Sequence, residues 1–245
     1  MKGFIRSTIV LTLIAAIIMA VVFLSLTRPS HAASALQTLN SQNFAGYASR
    51  NGKFTSVAGS WRVPSIKCGN SKQALGIWVG IGGLTHSNDL EQDGIVVECA
   101  NALHPQYFAF FEILPAAAQT LSFPVNPGDH ISASVTLVRK GVFNFQLHDS
   151  NQHWSFTRQG KKSGAHLDSA DCVVEAVSDT SNHILPLAKF GTVAISGCLA
   201  NGRPINAGPS TAEIFMYSVN AGAFKAQPSD LISGGTAFSV RWERS

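Results

Sequence analysis

Beyond residue 40 the chain alternates between apolar and polar positions. Ile131, Ala133, Val135 and Leu137 interleave with Ser132, Ser134 and Thr136, and Phe143, Phe145 and Leu147 with Asn144, Gln146 and His148. Near the C-terminus Phe238, Val240 and Trp242 alternate with Ser239 and Arg241. Successive side chains of a strand point to opposite faces, so a period of two predicts strands with one face in a core. Turn signals divide the runs: Asn51-Gly52, Asn126-Pro127-Gly128-Asp129, Asn201-Gly202 and Gly234-Gly235. Sustained helical periodicity is confined to the N-terminal segment. Short strands between turns predict an all-β fold, an antiparallel sandwich or barrel, and the pattern alone does not choose between them.

The N-terminal segment reads differently. Lys2 and Arg6 precede an uncharged apolar run from Ser7 to Thr27, and Ser30-His31-Ala32 and Ala33-Ser34-Ala35 both fit a small-x-Ala cleavage site. That layout predicts a secretory signal peptide over residues 1–32. A run of about 20 apolar residues is also long enough to span a bilayer, which leaves an uncleaved anchor as the alternative. Either way the basic end stays in the cytoplasm and a domain over 40–245 is exported, free or held at the outer face of the cytoplasmic membrane.

Export changes the meaning of charge and cysteine. The chain of 245 residues has 18 Lys and Arg against 14 Asp and Glu, a formal net charge of +4. Lys2, Arg6 and Arg28 belong to the targeting segment, which leaves 15 basic against 14 acidic residues. The remaining basic residues are scattered, with Lys161-Lys162 the nearest thing to a cluster, whereas a nucleic-acid surface needs a dense stripe. Nucleic acid is excluded as a partner. Cys68, Cys99, Cys172 and Cys198 contain no C-x-x-C, so zinc and thioredoxin motifs are not expected; in an exported chain they predict two disulfides in one of three pairings.

Common hydrolase signatures are missing: no G-x-S-x-G, no H-E-x-x-H, and no Asp-Thr-Gly or Asp-Ser-Gly. The histidines are dispersed and predict no metal site. Polar residues inside strands are more informative. Gln92 stands at the entrance of the apolar strand Leu90 to Cys99, Glu112 within the aromatic strand Tyr107 to Pro115, and Glu175 within Ala170 to Val177. Glutamate is disfavoured in strands and costly to bury unpaired, so these carboxylates either face water or have a task.

Around these residues the sequence resembles the glutamic peptidases, or eqolisins. Asn43-Phe44-Ala45-Gly46-Tyr47 is similar to the family's Asn-Trp-Ala-Gly opening, and Trp61-Arg62-Val63-Pro64 to its Trp-x-Val-Pro. Trp78 to Gly83 resembles Trp-Val-Gly-Ile-Asp-Gly, and Gln92 falls at the catalytic glutamine. Tyr107 to Pro115 resembles Tyr-x-Ala-Trp-Tyr-Glu-x-Tyr-Pro, and Pro127 to Ile131 the Gly-Asp-x-Ile turn. Ser169 to Glu175 resembles Ser-Ala-Glu-Trp-Ile-Val-Glu, whose last glutamate is catalytic, and Phe190-Gly191-Thr192-Val193 follows as Phe-Gly-Thr-Val. Each piece is short; their order is specific.

The resemblance implies a concanavalin-like β-sandwich of two large antiparallel sheets with its active site on a concave face. It implies a monomeric endopeptidase acting on protein or peptide substrates, without cofactor and insensitive to pepstatin. Glu175 would be the base that activates water and Gln92 the donor to the oxyanion, with Glu112 behind them and Trp78 and Phe110 lining the cleft. Activity is then expected near about pH 3–5, where an unperturbed Glu ionises. It also implies the pairings Cys68–Cys99 and Cys172–Cys198. Strand parity agrees, since residues an odd number apart face opposite sides and neither bridge would disturb the active face.

The sequence departs from the family at Gly82, where an Asp is usual, at Phe108 and Phe110, and at Asp171-Cys172 in place of Glu-Trp. These changes make the cleft more apolar. The rival expectation is a non-catalytic peptide- or carbohydrate-binding module with Trp78, Phe110 and Phe111 as an aromatic platform.

Overall fold

In the computed structural model, residues 35–69, 72–86, 88–99 and 104–245 are described. The expected signal peptide or anchor lies outside them. Among the described residues, no helix is long and apolar enough to cross a membrane.

The strands are β1 (Ala35–Ser41), β2 (Phe44–Arg50), β3 (Ser56–Arg62), β4 (Gln73–Gly82), β5 (Leu90–Cys99), β6 (Gln106–Ile113), β7 (Gln119–Leu121), β8 (His130–Arg139), β9 (Val142–Asp149), β10 (Trp154–Lys161), β11 (Ser169–Glu175), β12 (Thr192–Ala200), β13 (Arg203–Pro204), β14 (Ser210–Ser218), β15 (Ala223–Pro228) and β16 (Phe238–Trp242). A 3-10 turn, Ile205–Ala207, lies between β13 and β14. The predicted turns are where expected: Asn51 and Asn201 have φ of 61° and 51°, and Gly202, Gly234 and Gly235 also take positive φ. Those are the residue types that enter the left-handed region at least cost.

Hydrogen bonds run along one path, β10-β9-β8-β3-β12-β16-β15-β14-β2-β11-β4-β5-β6-β7. Divided at β15 and β14, where the register shifts between Met216 and Tyr217, the path makes two layers. β4 and β5 pack across onto β3, β8 and β9, so the layers lie face to face as an antiparallel β-sandwich. The exception to antiparallel pairing among the named strands is β1, which runs parallel to β14 from Ala35 against Ser210 to Ser41 against Met216. The expected domain start at residue 40 therefore falls inside a paired strand.

Alternation sorts the side chains. Leu75, Ile77, Val79 and Ile81 of β4 and Ile95 and Val97 of β5 enter the core between the layers, opposite Trp61, Ile131, Val135, Phe143 and Phe145. The other face of the same strands carries a separate cluster of Ala48, Trp78, Leu90, Phe110, Val173, Ala212 and Ile214. Phe111 lies in the inner core beside Phe145 and Phe156. It cannot join Trp78 and Phe110 on a platform, because adjacent strand residues face opposite ways. Two disulfides brace the sandwich. Cys172–Cys198 ties β11 to β12 across the layers (Cα–Cα 6.4 Å), and Cys68–Cys99 fastens the end of β5 (Cα–Cα 5.6 Å).

Candidate active site

The register of β11, β4, β5 and β6 builds the site in rows. Residues directly opposite on neighbouring strands share a face, so Asp171, Gly80, Gln92 and Glu112 form one row. Val173, Trp78, Gly94 and Phe110 form the next, and Glu175, Gly76, Val96 and Phe108 the one after. Gln92, Glu112, Trp78, Phe110 and Glu175 thus lie on one face of one layer, away from the inter-layer core.

Glycines shape the floor. A Cβ at Gly94 would come within 2.7 Å of the Trp78 Cα and Cβ, and one at Gly80 within 2.9 Å of its Cζ3. A Cβ at Gly76 would sit 3.4 Å from Trp78 Cδ1 and from Glu175 Cβ. The sequence Gly76-Ile77-Trp78-Val79-Gly80 therefore lets the indole lie along β4 on a side-chain-free floor, its edge turned towards Glu175. Phe44 closes on it edge to face, at 5.4 Å between ring centroids and 86°. The sequence signal for this cradle is the Gly-x-Trp-x-Gly spacing, in which all three residues share a face.

The polar contacts follow. Trp78 Nε1 donates to Glu175 Oε2 at 2.7 Å, and Asn43 Nδ2 donates to Glu175 Oε1 at 3.3 Å. Gln92 Nε2 donates to Glu112 Oε2 at 2.5 Å. A primary amide has two N–H groups, so the second hydrogen of Gln92 is not used by Glu112. Burial pushes the Glu175 carboxyl up to about 7; the Trp78 and Asn43 donors oppose that rise, and the nearby Glu112 adds to it. Burial also raises Glu112, against hydrogen bonds from Gln92 and the Ala118 backbone. The base expected to be ionised near pH 3–5 is thus shifted to higher pH.

Three more buried carboxyls lie on these strands. Asp171 is 3% exposed, accepts from Ser169 Oγ at 3.2 Å, and is held well above the ordinary range by burial. Glu91 and Asp93, either side of Gln92, point inwards and are 1% and 0% exposed. Burial raises Glu91 to about 8, and Asp93 faces the Gln146 backbone amide without a close hydrogen bond. Parity with Gln92 was the available signal for both. Gly82 explains the missing family aspartate: at φ of 81° its Cβ would lie 2.2 Å from the Asp89 carbonyl oxygen, so no side chain fits. Among the described residues no group of three His, Cys, Asp or Glu is placed to hold a metal ion.

A sequence model of the Peptidase A4 family matches residues 42–242. Aspergillopepsin-2 of Aspergillus niger is 25% identical over 197 residues, which cover 71% of this chain and 69% of that protein. The fold resembles scytalido-glutamic peptidase, solved with a transition state analogue inhibitor, at a TM-score of 0.70 and 20% identity over 82% of this chain and 98% of that one. It also resembles aspergilloglutamic peptidase from Aspergillus niger, at a TM-score of 0.56 and 21% identity over 70% of this chain and 99% of that one.

Proposed function

The chain belongs to the Peptidase A4 family, and we propose that it is an exported, monomeric endopeptidase in which Glu175 and Gln92 hydrolyse peptide bonds without a cofactor. One observation carries this reading: on a single face of one layer, a carboxylate accepts from an indole N–H and an amide donates to a second carboxyl, the two kinds of group that general base and oxyanion donor require. Ionised Glu175 takes a proton from water as the water oxygen bonds to the scissile carbonyl carbon. The free N–H of Gln92 donates to the oxygen that becomes negative. Glu175 then returns the proton to the leaving nitrogen as the C–N bond breaks, and the carboxylate is regenerated. A neutral amide takes the role of the second acid of an aspartic dyad, and pepstatin is expected not to inhibit.

Two opposing effects set the pH window. Below about 7 the ionised fraction of Glu175 falls roughly tenfold per pH unit, so the rate climbs from acid towards neutral. The buried Glu91 and Asp93 oppose that climb by weakening the fold as pH rises. Activity is therefore expected above the range of an unperturbed glutamate. The test is digestion of an unfolded protein by wild type and Glu175→Gln, with and without pepstatin. Pepstatin-resistant cleavage lost in the variant is expected; cleavage that survives Glu175→Gln, or is blocked by pepstatin, contradicts the reading. A folded wild type that binds peptide without cleaving it would leave the binding module.

A further inference from the structure

We infer that Asn43, braced by Ser41, is a positioning residue that fixes the plane of the Glu175 carboxylate and so ties strand β1 to turnover. The inference rests on Glu175 being the base. Ser41 Oγ accepts from the backbone N–H of Asn43 at 3.3 Å and of Phe44 at 3.1 Å, and donates to Asn43 Oδ1 at 3.1 Å. A hydroxyl has one donor and two acceptor positions, and all three are used. With Oδ1 taken by Ser41, the amide presents Nδ2 to Glu175 Oε1, at 3.3 Å.

The backbone holds this arrangement without help from the amide. Phe44 is directly opposite Glu175 between β2 and β11, and the Ala176 N–H donates to the Asn43 carbonyl oxygen at 2.8 Å. Ser41 is the last residue of β1 and stands opposite Met216 of β14. The pairing of a strand at the layer's edge is thus transmitted to the carboxylate through one hydroxyl and one amide.

The geometry has a chemical consequence. Trp78 holds Oε2 and Asn43 holds Oε1, so the carboxylate has a donor on each oxygen and cannot turn about its last bond without losing one. Each oxygen keeps a second lone pair, and a base held in orientation is what proton abstraction from a positioned water requires. The other ionisable group acting on Glu175 is Glu112 from β6; its remaining neighbours on this face, Gly76, Trp78 and Phe44, carry no charge. Loss of the Asn43 donor removes more support from the ionised form than from the protonated one, which distinguishes positioning from packing.

The experiment is the pH dependence of kcat and KM on one unfolded protein substrate, with thermal unfolding of each variant. Asn43→Ala is expected to lower kcat about tenfold, the scale of a hydrogen bond to a charged group, with KM within about twofold. Its acid limb should move to higher pH while the melting temperature stays close to wild type. Ser41→Ala should move the limb the same way by less, and Ser41→Thr, which keeps the hydroxyl, should restore it. Asn43→Asp should fall below Asn43→Ala, because it sets a second acid against Glu175. An Asn43→Ala profile that overlays wild type, or a Ser41→Ala effect confined to the melting temperature, overturns the inference. Glu175→Gln separates the two failures: if that variant still turns over, the base assignment falls; if it is dead while Asn43→Ala overlays wild type, only the role of Asn43 falls.

Discussion

The two faces of β4, β5 and β11 differ in kind although the same strands make them. Inwards, Ile77, Val79, Ile95 and Val174 pack against the other layer, and Cys172 is bonded to it through Cys198. Outwards, Trp78, Gln92 and Glu175 stand on glycines at 76, 80 and 94 that keep the floor clear. Both faces contain carboxyls, and partners decide what each can do. Glu175 has two N–H donors and is held at about 7, whereas Asp93 inside the core has no close hydrogen bond and burial pushes it well above the ordinary carboxylate range. Burial disfavours the ionised form of both, and directed donors oppose that at Glu175.

That contrast predicts turnover defects without stability loss on one face, and the reverse on the other. The largest effect is expected from Gln92→Ala, which should lower kcat about 100- to 1,000-fold, as loss of an oxyanion donor does, with little change in melting temperature. On the inner face, one residue before Trp78, Ile77→Ala should cost about 2–5 kcal/mol of stability in denaturant titration and leave kcat/KM of the folded protein unchanged. Any large kcat/KM loss in Ile77→Ala would break the division between faces.

A smaller effect concerns the inner acids. Unfolded Glu91 ionises near its ordinary 4.5, but folded Glu91 only near 8, so between those values the folded state holds an extra proton. Its stabilising contribution is complete below about 4.5 and is lost as pH rises through 8. Glu91→Gln should therefore flatten the fall in melting temperature between acid and neutral pH, with a gain on the order of 2 kcal/mol at the upper end. The smallest change is expected from Glu112→Gln. Losing the carboxylate that holds the Gln92 amide should lower kcat about tenfold. It should also move the acid limb to lower pH, because Glu112 is among the causes that raise Glu175.

Much of this was legible along the chain because period two is a local signal. The alternation at 131–137 and 143–147 marks β8 and β9 directly, and Asn51 and Asn201 mark turns that need positive φ. β1 escaped, since Ala-Leu-Gln-Thr-Leu-Asn-Ser alternates weakly and pairs with a strand more than 170 residues away. In the site, Gln92, Glu112 and Glu175 stood out as polar residues in apolar strands. What brings Gln92 opposite Glu112, or the Trp78 indole to Glu175, is long-range register, which no local pattern contains. The expected platform of Trp78, Phe110 and Phe111 fails at Phe111, because neighbouring residues of a strand face opposite sides. Gly82, read as a lost polar contact, is a position where the Asp89 carbonyl leaves no room for a side chain.

The most direct test of the account is to titrate the Glu175 carboxyl itself, by carbon-13 NMR of labelled protein, beside the pH profile of kcat/KM. The account predicts one midpoint near 7 in both, absent from the spectrum and the rate profile of Glu175→Gln. A carboxyl that titrates near its ordinary 4.5, or a rate profile that ignores its titration, would contradict Glu175 as the base.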